Sequence, residues 1–199
     1  MNYFVTGIGT DVGKTVVSAI LCEALKADYW KPIQTGVELG KDSDTVKSLL
    51  TNSSSVIHPE SYLFPKPLSP HVASDTETIE LKNIQIPQTK NHLVIEGAGG
   101  VLVPINPTET LLDVIKKVQA EVILVSRNYL GSINHTLLSV EVLKQHQIPI
   151  KGIIFNGEDA CNGEEIIIKK SGLKVLGRIP EVQHLDKETI LTLSKTIQF

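Results

Sequence analysis

Cysteine is nearly absent from this sequence: only Cys22 and Cys161 occur in 199 residues, and they form no Cys-x-x-Cys pair. That excludes a disulfide-dense secreted scaffold and a cysteine-based zinc site. No apolar run approaches the roughly 20 residues a membrane helix needs. The start, Met1-Asn2-Tyr3-Phe4, puts no basic region ahead of an apolar one, so no signal peptide is expected. Basic charge is not in excess either: 19 Lys and Arg stand against 22 Asp and Glu, a net charge of -3. Chains that live on nucleic-acid phosphates usually carry a basic excess. The expectation is a soluble cytoplasmic protein with no nucleic-acid or membrane partner. The six histidines show no His-Glu-x-x-His spacing, and no Gly-x-Ser-x-Gly elbow occurs. Zinc hydrolase and serine hydrolase chemistry therefore lack their residues.

What is present is globular. Hydrophobic residues make up 41%, and 14 glycines accompany them, which rules out disorder, collagen and coiled coil as the overall class. Short β-branched runs alternate with helical patterns. Tyr3-Phe4-Val5-Thr6 reads as a strand, followed by Val17, Ile20, Leu21, Ala24 and Leu25 at helical spacing. Tyr29-Trp30-Lys31 reads as a second short strand, and a helix is expected to start near Asp42-Ser43-Asp44, where short polar side chains can cap it. Further strands are expected at 92–96, 121–126, 150–155 and 174–177, with helices marked by Leu111, Ile115 and Val118, by Ile133, Leu137 and Val140, and across 185–197. This alternation predicts an α/β fold: a mainly parallel sheet with helices on both faces. The proline-containing stretch from Ser53 to Pro70 reads as an ordered excursion inside a single domain spanning 1–199.

The strongest motif is Gly7-Ile8-Gly9-Thr10-Asp11-Val12-Gly13-Lys14-Thr15, set between an expected strand and an expected helix. Glycines let successive backbone N–H groups turn inward around phosphate oxygens, and the helix adds its positive N-terminal end. Lys14 can reach the outer phosphates and the Thr15 hydroxyl can bind Mg²⁺. The usual spacing places its first Gly where Ile8 stands, so Gly7 is one residue early. Asp11, Val12, Gly13, Lys14, Thr15 and Val16 form the expected nucleotide-binding stretch, and the motif alone points to a nucleotide triphosphate with Mg²⁺.

In open parallel sheets, ligands bind beyond the carboxyl ends of the strands. Several polar turns fall there. Lys31-Pro32-Ile33-Gln34-Thr35-Gly36 offers a second cation, against the alternative of a surface lysine. Asp44, early in a helix, suits either a metal or a cap. Glu96, followed by Gly97, Ala98, Gly99 and Gly100, suits Mg²⁺ or its surroundings, because glycines permit close approach. Gly131, Ser132, Ile133 and Asn134 open a helix whose free amides suit a carboxylate or phosphate, or only a Ser cap. Asn156 and Gly157, with Pro180, Glu181 and Val182, could flank a nucleotide base or form plain turns.

Taken together, Thr6 to Thr15, Lys31 to Gly36, Leu68-Ser69-Pro70-His71-Val72-Ala73, Glu96 to Gly100 and Leu130-Gly131-Ser132-Ile133-Asn134-His135 resemble the dethiobiotin synthetase family, in that family's order. The resemblance implies a phosphate-loop ATPase fold and an ATP- and Mg²⁺-dependent ligase of biotin synthesis. Such an enzyme joins 7,8-diaminononanoate and CO₂ into a cyclic urea through a carbamate and its phosphoric anhydride. It implies a homodimer with the substrate across the subunit boundary. Residue by residue, it implies Lys14 and Lys31 as the catalytic cations. Thr15, Asp44 and Glu96 become the metal set, and Thr10 and Thr35 approach the diamine. The amides of Gly131 to Asn134 hold the far carboxylate, and Asn156 with the Pro180 turn holds adenine. Gly9 stands where many relatives carry Asp, and Asp11 where many carry Glu. A partition or septum-type switch ATPase is the alternative on the same fold. It would bear an extra lysine where Gly9 stands and would give Lys31 no purpose.

Overall fold

The computed structural model describes residues 1–74, 77–159 and 162–199. Its main strands are β1 (Asn2–Gly7), β2 (Asp28–Trp30), β4 (Ile57–His58), β6 (Leu93–Gly100), β7 (Glu121–Arg127), β8 (Ile150–Asn156) and β9 (Val175–Ile179). They form one seven-stranded sheet in the order β4-β2-β6-β1-β7-β8-β9. Every neighbouring pair in it is parallel. Two further short strands, β3 (Ile33–Thr35) and β5 (Tyr62–Phe64), pair in parallel beside it. The helices are α1 (Lys14–Leu25), α2 (Asp42–Leu49), α3 (Pro70–Ala73), α4 (Leu111–Val118), α5 (Ser132–Gln145), α6 (Glu164–Ser171) and α7 (Lys187–Ser194).

Strand alternation explains the layers. In β1, Tyr3 and Val5 join one apolar cluster with Val17, Ile20 and Leu21 of α1, Val46 of α2 and Ile190 of α7. Phe4, between them, joins a second cluster with Leu111, Ile115 and Val118 of α4 and Leu143 of α5. A parallel sheet buried on both faces needs apolar residues at successive positions, which is why these strands read as continuous hydrophobic runs.

Most expected elements are found within a residue or two of their bounds. The 53–70 stretch holds β4, β5 and the start of α3. Strands of two or three residues give too short a pattern to be seen in sequence. Cys22 is a free, buried core residue, and Cys161 falls outside the described residues.

The glycine run after Glu96 differs from the expected flexible turn. Leu93 to Gly100 is one continuous strand, paired to β1 as far as Gly7 opposite Gly100. The glycines are there for close approach: a Cβ on Gly97 would sit 2.7 Å from Phe4 Cε1. Phe4 is fully buried and cannot move aside freely. Gly97→Ala is therefore expected to lower stability by about 1–3 kcal/mol through overpacking, read as a lower urea midpoint with unchanged slope. An unchanged midpoint would show that the two strands can separate at no cost.

Candidate active site

The strand order decides which residues meet. β2, β6 and β1 are adjacent, so whatever follows their carboxyl ends lies side by side. After β1 comes the loop 8–13, ending in Gly13 with φ +90°, and then α1. α1 has no side-chain cap and no acidic residue in its first turn. Its first amides are thus left for an external anion. The backbone angle favours glycine, and a Cβ on Gly13 would lie 2.2 Å from Asn156 Nδ2, displacing that side chain. Asp11 also takes a left-handed conformation, φ +54°. Lys14 is buried and its Nζ donates to Gly9 O at 2.9 Å across the loop. Burial lowers its pKa to about 8; Lys31 pushes the same way, while Glu96 and Asp42 partly oppose.

Immediately after β2 stands Lys31, only 6% exposed. Its Nζ donates to Glu96 Oε1 at 3.0 Å and to Asp42 Oδ2 in a tight ion pair. Thr15 Oγ1 touches the same pair of carboxylates, 2.9 Å from Glu96 Oε1 and 3.0 Å from Asp42 Oδ1. Burial alone would lower the pKa of Lys31, but Glu96 and Asp42 more than reverse it, so its pKa is raised and the ammonium stays charged. Burial would likewise raise the Asp42 pKa, yet Lys31 beside it holds the carboxyl below its usual range. Gln34 Oε1 accepts from the Asp42 amide at 3.1 Å, fixing the start of α2.

Asp42, not Asp44, occupies this cluster, and the expectation for Asp44 is corrected accordingly. Asp44 is exposed on α2. Residues four and seven apart share a helix face. Val46 and Leu49 are buried, so the inward carboxylate is the one at 42. The spacing from Val46 was the available signal. Tyr29, whose hydroxyl donates to Glu96 Oε2 at 2.9 Å, is a second residue the sequence did not mark.

Lys14, Lys31, Thr15, Asp42 and Glu96 open into a cleft of about 740 Å³. Of the expected site residues, Thr10, Asp11, Gly13, Val16, Thr35, Ala98 and Gly99 also line it, as do Leu68, Ser69 and Pro70. Val12 and Gly97 are buried beside it. Asn156 donates from Nδ2 to Val12 O at 2.9 Å, bracing the loop from the end of β8. The Gly157 amide donates to Ile179 O at 2.9 Å, tying β8 to the end of β9. Pro180, Glu181 and Val182 follow there, exposed and outside the cleft. Gly131, Ser132, Ile133 and Asn134 open α5 and do not line the cleft of this chain. Arg127 Nη1 donates to Asp11 O at 3.1 Å, on the far side of the loop.

The donor chemistry suits Mg²⁺. The site offers hard oxygen donors only: one hydroxyl and two carboxylates. Mg²⁺ is commonly held by one or two carboxylates together with waters and substrate phosphates. Among the described residues no group of three or more His, Cys, Asp or Glu side chains could hold a metal by itself.

Comparison with known proteins agrees with this geometry. A family model described as an AAA domain matches residues 1–189. The chain is 52% identical over 192 residues to the ATP-dependent dethiobiotin synthetase BioD of Cytophaga hutchinsonii, covering 95% of this chain and 93% of the relative. The relatives of the same name from Christiangramia forsetii (52%, covering 95% and 92%) and Rhodopseudomonas palustris strain BisB18 (44%, covering 96% and 93%) are similar along nearly the whole chain. Among solved structures, a ParA family ATPase from Chlorobium tepidum matches with a TM-score of 0.60 at 18% identity, covering 98% and 94% of the two chains. The septum site-determining protein MinD of Pyrococcus horikoshii, complexed with Mg-ADP, matches with a TM-score of 0.56 at 16% identity, covering 98% and 95%. At such identities these two speak for the fold alone. The near full-length likeness to the synthetases settles the kinship: the chain belongs to the ATP-dependent dethiobiotin synthetase family.

Proposed function

We propose that the cleft between the phosphate loop and the Lys31 cluster is where 7,8-diaminononanoate, CO₂ and Mg²⁺-ATP react. The activity is that of an ATP-dependent carbon–nitrogen ligase of biotin synthesis. One amine adds to CO₂, loses a proton and becomes a carbamate. A carbamate oxygen takes the γ-phosphoryl group and ADP leaves. The second amine attacks the carbonyl carbon, loses a proton and expels phosphate, closing the cyclic urea of dethiobiotin. The observation that carries this reading is the buried Lys31–Asp42–Glu96–Thr15 cluster facing the same cleft as Lys14.

The loop amides and the α1 N-terminus hold the phosphates, with Lys14 at the outer ones. Lys31 neutralises charge growing between phosphoryl group and carbamate. Thr15, Asp42 and Glu96 are the residues that would hold Mg²⁺, which when bound screens phosphate charge during transfer. Thr10 and Thr35, which line the cleft, serve the diamine, and Asn156 with the exposed Pro180 turn, outside the cleft, would hold the base beyond it. We further propose that the chain acts as one domain in the cytoplasm and pairs as a homodimer. The amides of Gly131 to Asn134, outside their own cleft, then serve the partner's. Leu130 at 95% exposure and Leu102 and Leu138 at 55% and 56% support an apolar contact with a second copy.

The direct test is ATP consumption with and without diaminononanoate and bicarbonate, with the product weighed by mass spectrometry. Diamine-dependent turnover giving a cyclic urea is expected. Turnover stimulated only by DNA, lipid or a protein partner would instead favour the switch ATPase. In that assay Lys31→Ala is expected to lose roughly 10²–10³-fold in rate. Asp42→Asn is expected to lose at least about tenfold, while Asp44→Asn stays within about twofold of wild type. Equal losses at 42 and 44, or near-normal turnover without Lys31, would remove those residues from their roles.

Nucleotide binding should also depend on pH. Protonated Lys14 is the form that binds phosphate, and its pKa of about 8 lies below that of an ordinary lysine. Bound polyphosphate favours the ammonium, so binding takes up a proton above about pH 8. From about pH 7 to about pH 9, ATP affinity is expected to fall roughly tenfold. Calorimetry in buffers of different ionisation enthalpy should show the proton taken up. A flat profile would mean that Lys14 is fully charged throughout.

For the pairing, sedimentation should give about twice the 21.7 kDa chain mass, and Leu130→Asp should give an inactive monomer. A fully active monomer would exclude a shared site.

A further inference from the structure

The two oxygens of Glu96 are divided between two environments. Oε1 accepts from Thr15 and Lys31 at 2.9 and 3.0 Å, at the cleft. Oε2 accepts from the Tyr29 hydroxyl at 2.9 Å, inside the protein. We propose that Tyr29 is a positioning residue that fixes the Glu96 carboxylate, so that a single oxygen faces the metal and Lys31.

Geometry brings the two side chains together. Tyr29 pairs with Val94 across β2 and β6, and strand alternation puts Tyr29, Val94 and Glu96 on one face of the sheet. Trp30, the next residue, points to the other face and donates its indole N–H to Pro59 O at 3.1 Å. The ring of Tyr29 is fully buried in the apolar cluster against α1 and α2. Phenylalanine would fill that space equally well. The hydroxyl therefore has one service to perform, its bond to Glu96, since a buried phenol needs a partner. A carboxylate tied at one oxygen is held toward Thr15 and Lys31. Hydrogen bonds to ligating carboxylates of this kind typically contribute 10–100-fold to metal affinity.

The inference rests on Glu96 being a metal donor, as proposed above, and the test separates the two. ADP binding is measured by calorimetry with Mg²⁺ and with EDTA, on wild type, Tyr29→Phe and Tyr3→Phe. Tyr3 is a fitting control: it is buried in the same cluster, and its hydroxyl is 3.0 Å from Met1 Sδ, away from the site. Tyr29→Phe is expected to weaken ADP binding about 10–100-fold in Mg²⁺ and by less than about twofold in EDTA. Its half-saturating Mg²⁺ in turnover should rise more than its kcat falls, and Tyr3→Phe should do neither. If the Phe variant folds poorly, 4-aminophenylalanine at position 29, which keeps a donor, should restore Mg²⁺-dependent binding. Equal losses with and without Mg²⁺, or no loss, would overturn the role of Tyr29 while leaving Glu96 as a donor. Wild-type ADP affinity that ignores Mg²⁺ would overturn the donor assignment itself.

Discussion

A lysine ammonium buried between two carboxylates organises this molecule. Lys31 and Glu96 are 6% and 1% exposed, and the Lys31 ammonium depends on its carboxylate partners to stay charged there. Desolvation of each costs several kcal/mol, and removing one partner from a buried pair typically costs about 3–5 kcal/mol. Asp42 and Thr15 complete the set from the first turns of two helices, α2 and α1, far apart in sequence. Meeting this requirement dictates the rest: β2 beside β6, β6 beside β1, and α2 begun so that its first residue points inward. With Lys31 paired to two carboxylates, the group keeps one negative charge. That excess, next to the phosphate loop, suits the divalent cation proposed to accompany the nucleotide.

The loop is shaped by the same neighbours. Its backbone turns left-handed at Asp11 and Gly13, and Asn156 and Arg127 brace the carbonyls of Val12 and Asp11 from the ends of β8 and β7. Holding those carbonyls outward turns the intervening amides toward the cleft. Preorganised dipoles of this sort do not need to reorient when charge develops. The solved ATPases of partition and septum positioning share the fold.

How much of this could be read in advance depended on distance along the chain. The phosphate loop is nine contiguous residues between a strand and a helix, so its geometry is local and its motif sufficed. The parallel sheet was legible too, because burial on both faces leaves continuous apolar runs such as 121–126. Lys31 and Glu96 could be nominated from their places after strands. Asp42 could not be told from Asp44 by residue type. Only the turn of α2 against Val46 and Leu49 separates them, two residues corresponding to opposite sides of a helix. The glycines after Glu96 read as a turn, since nothing local reveals that Phe4 presses on Gly97. Tyr29 read only as part of a short strand.

The sequence by itself therefore determined the class of fold, the phosphate-binding loop and the kind of ligand, because these follow from backbone chemistry over a few neighbouring residues. Tertiary structure decided which carboxylate joins Lys31, why the glycine run is a strand and which group the hydroxyl of Tyr29 bonds. Those depend on contacts between residues 11 to 93 positions apart, Lys31 with Asp42, Tyr29 with Glu96 and Phe4 with Gly97, where a half-turn of helix changes the partner.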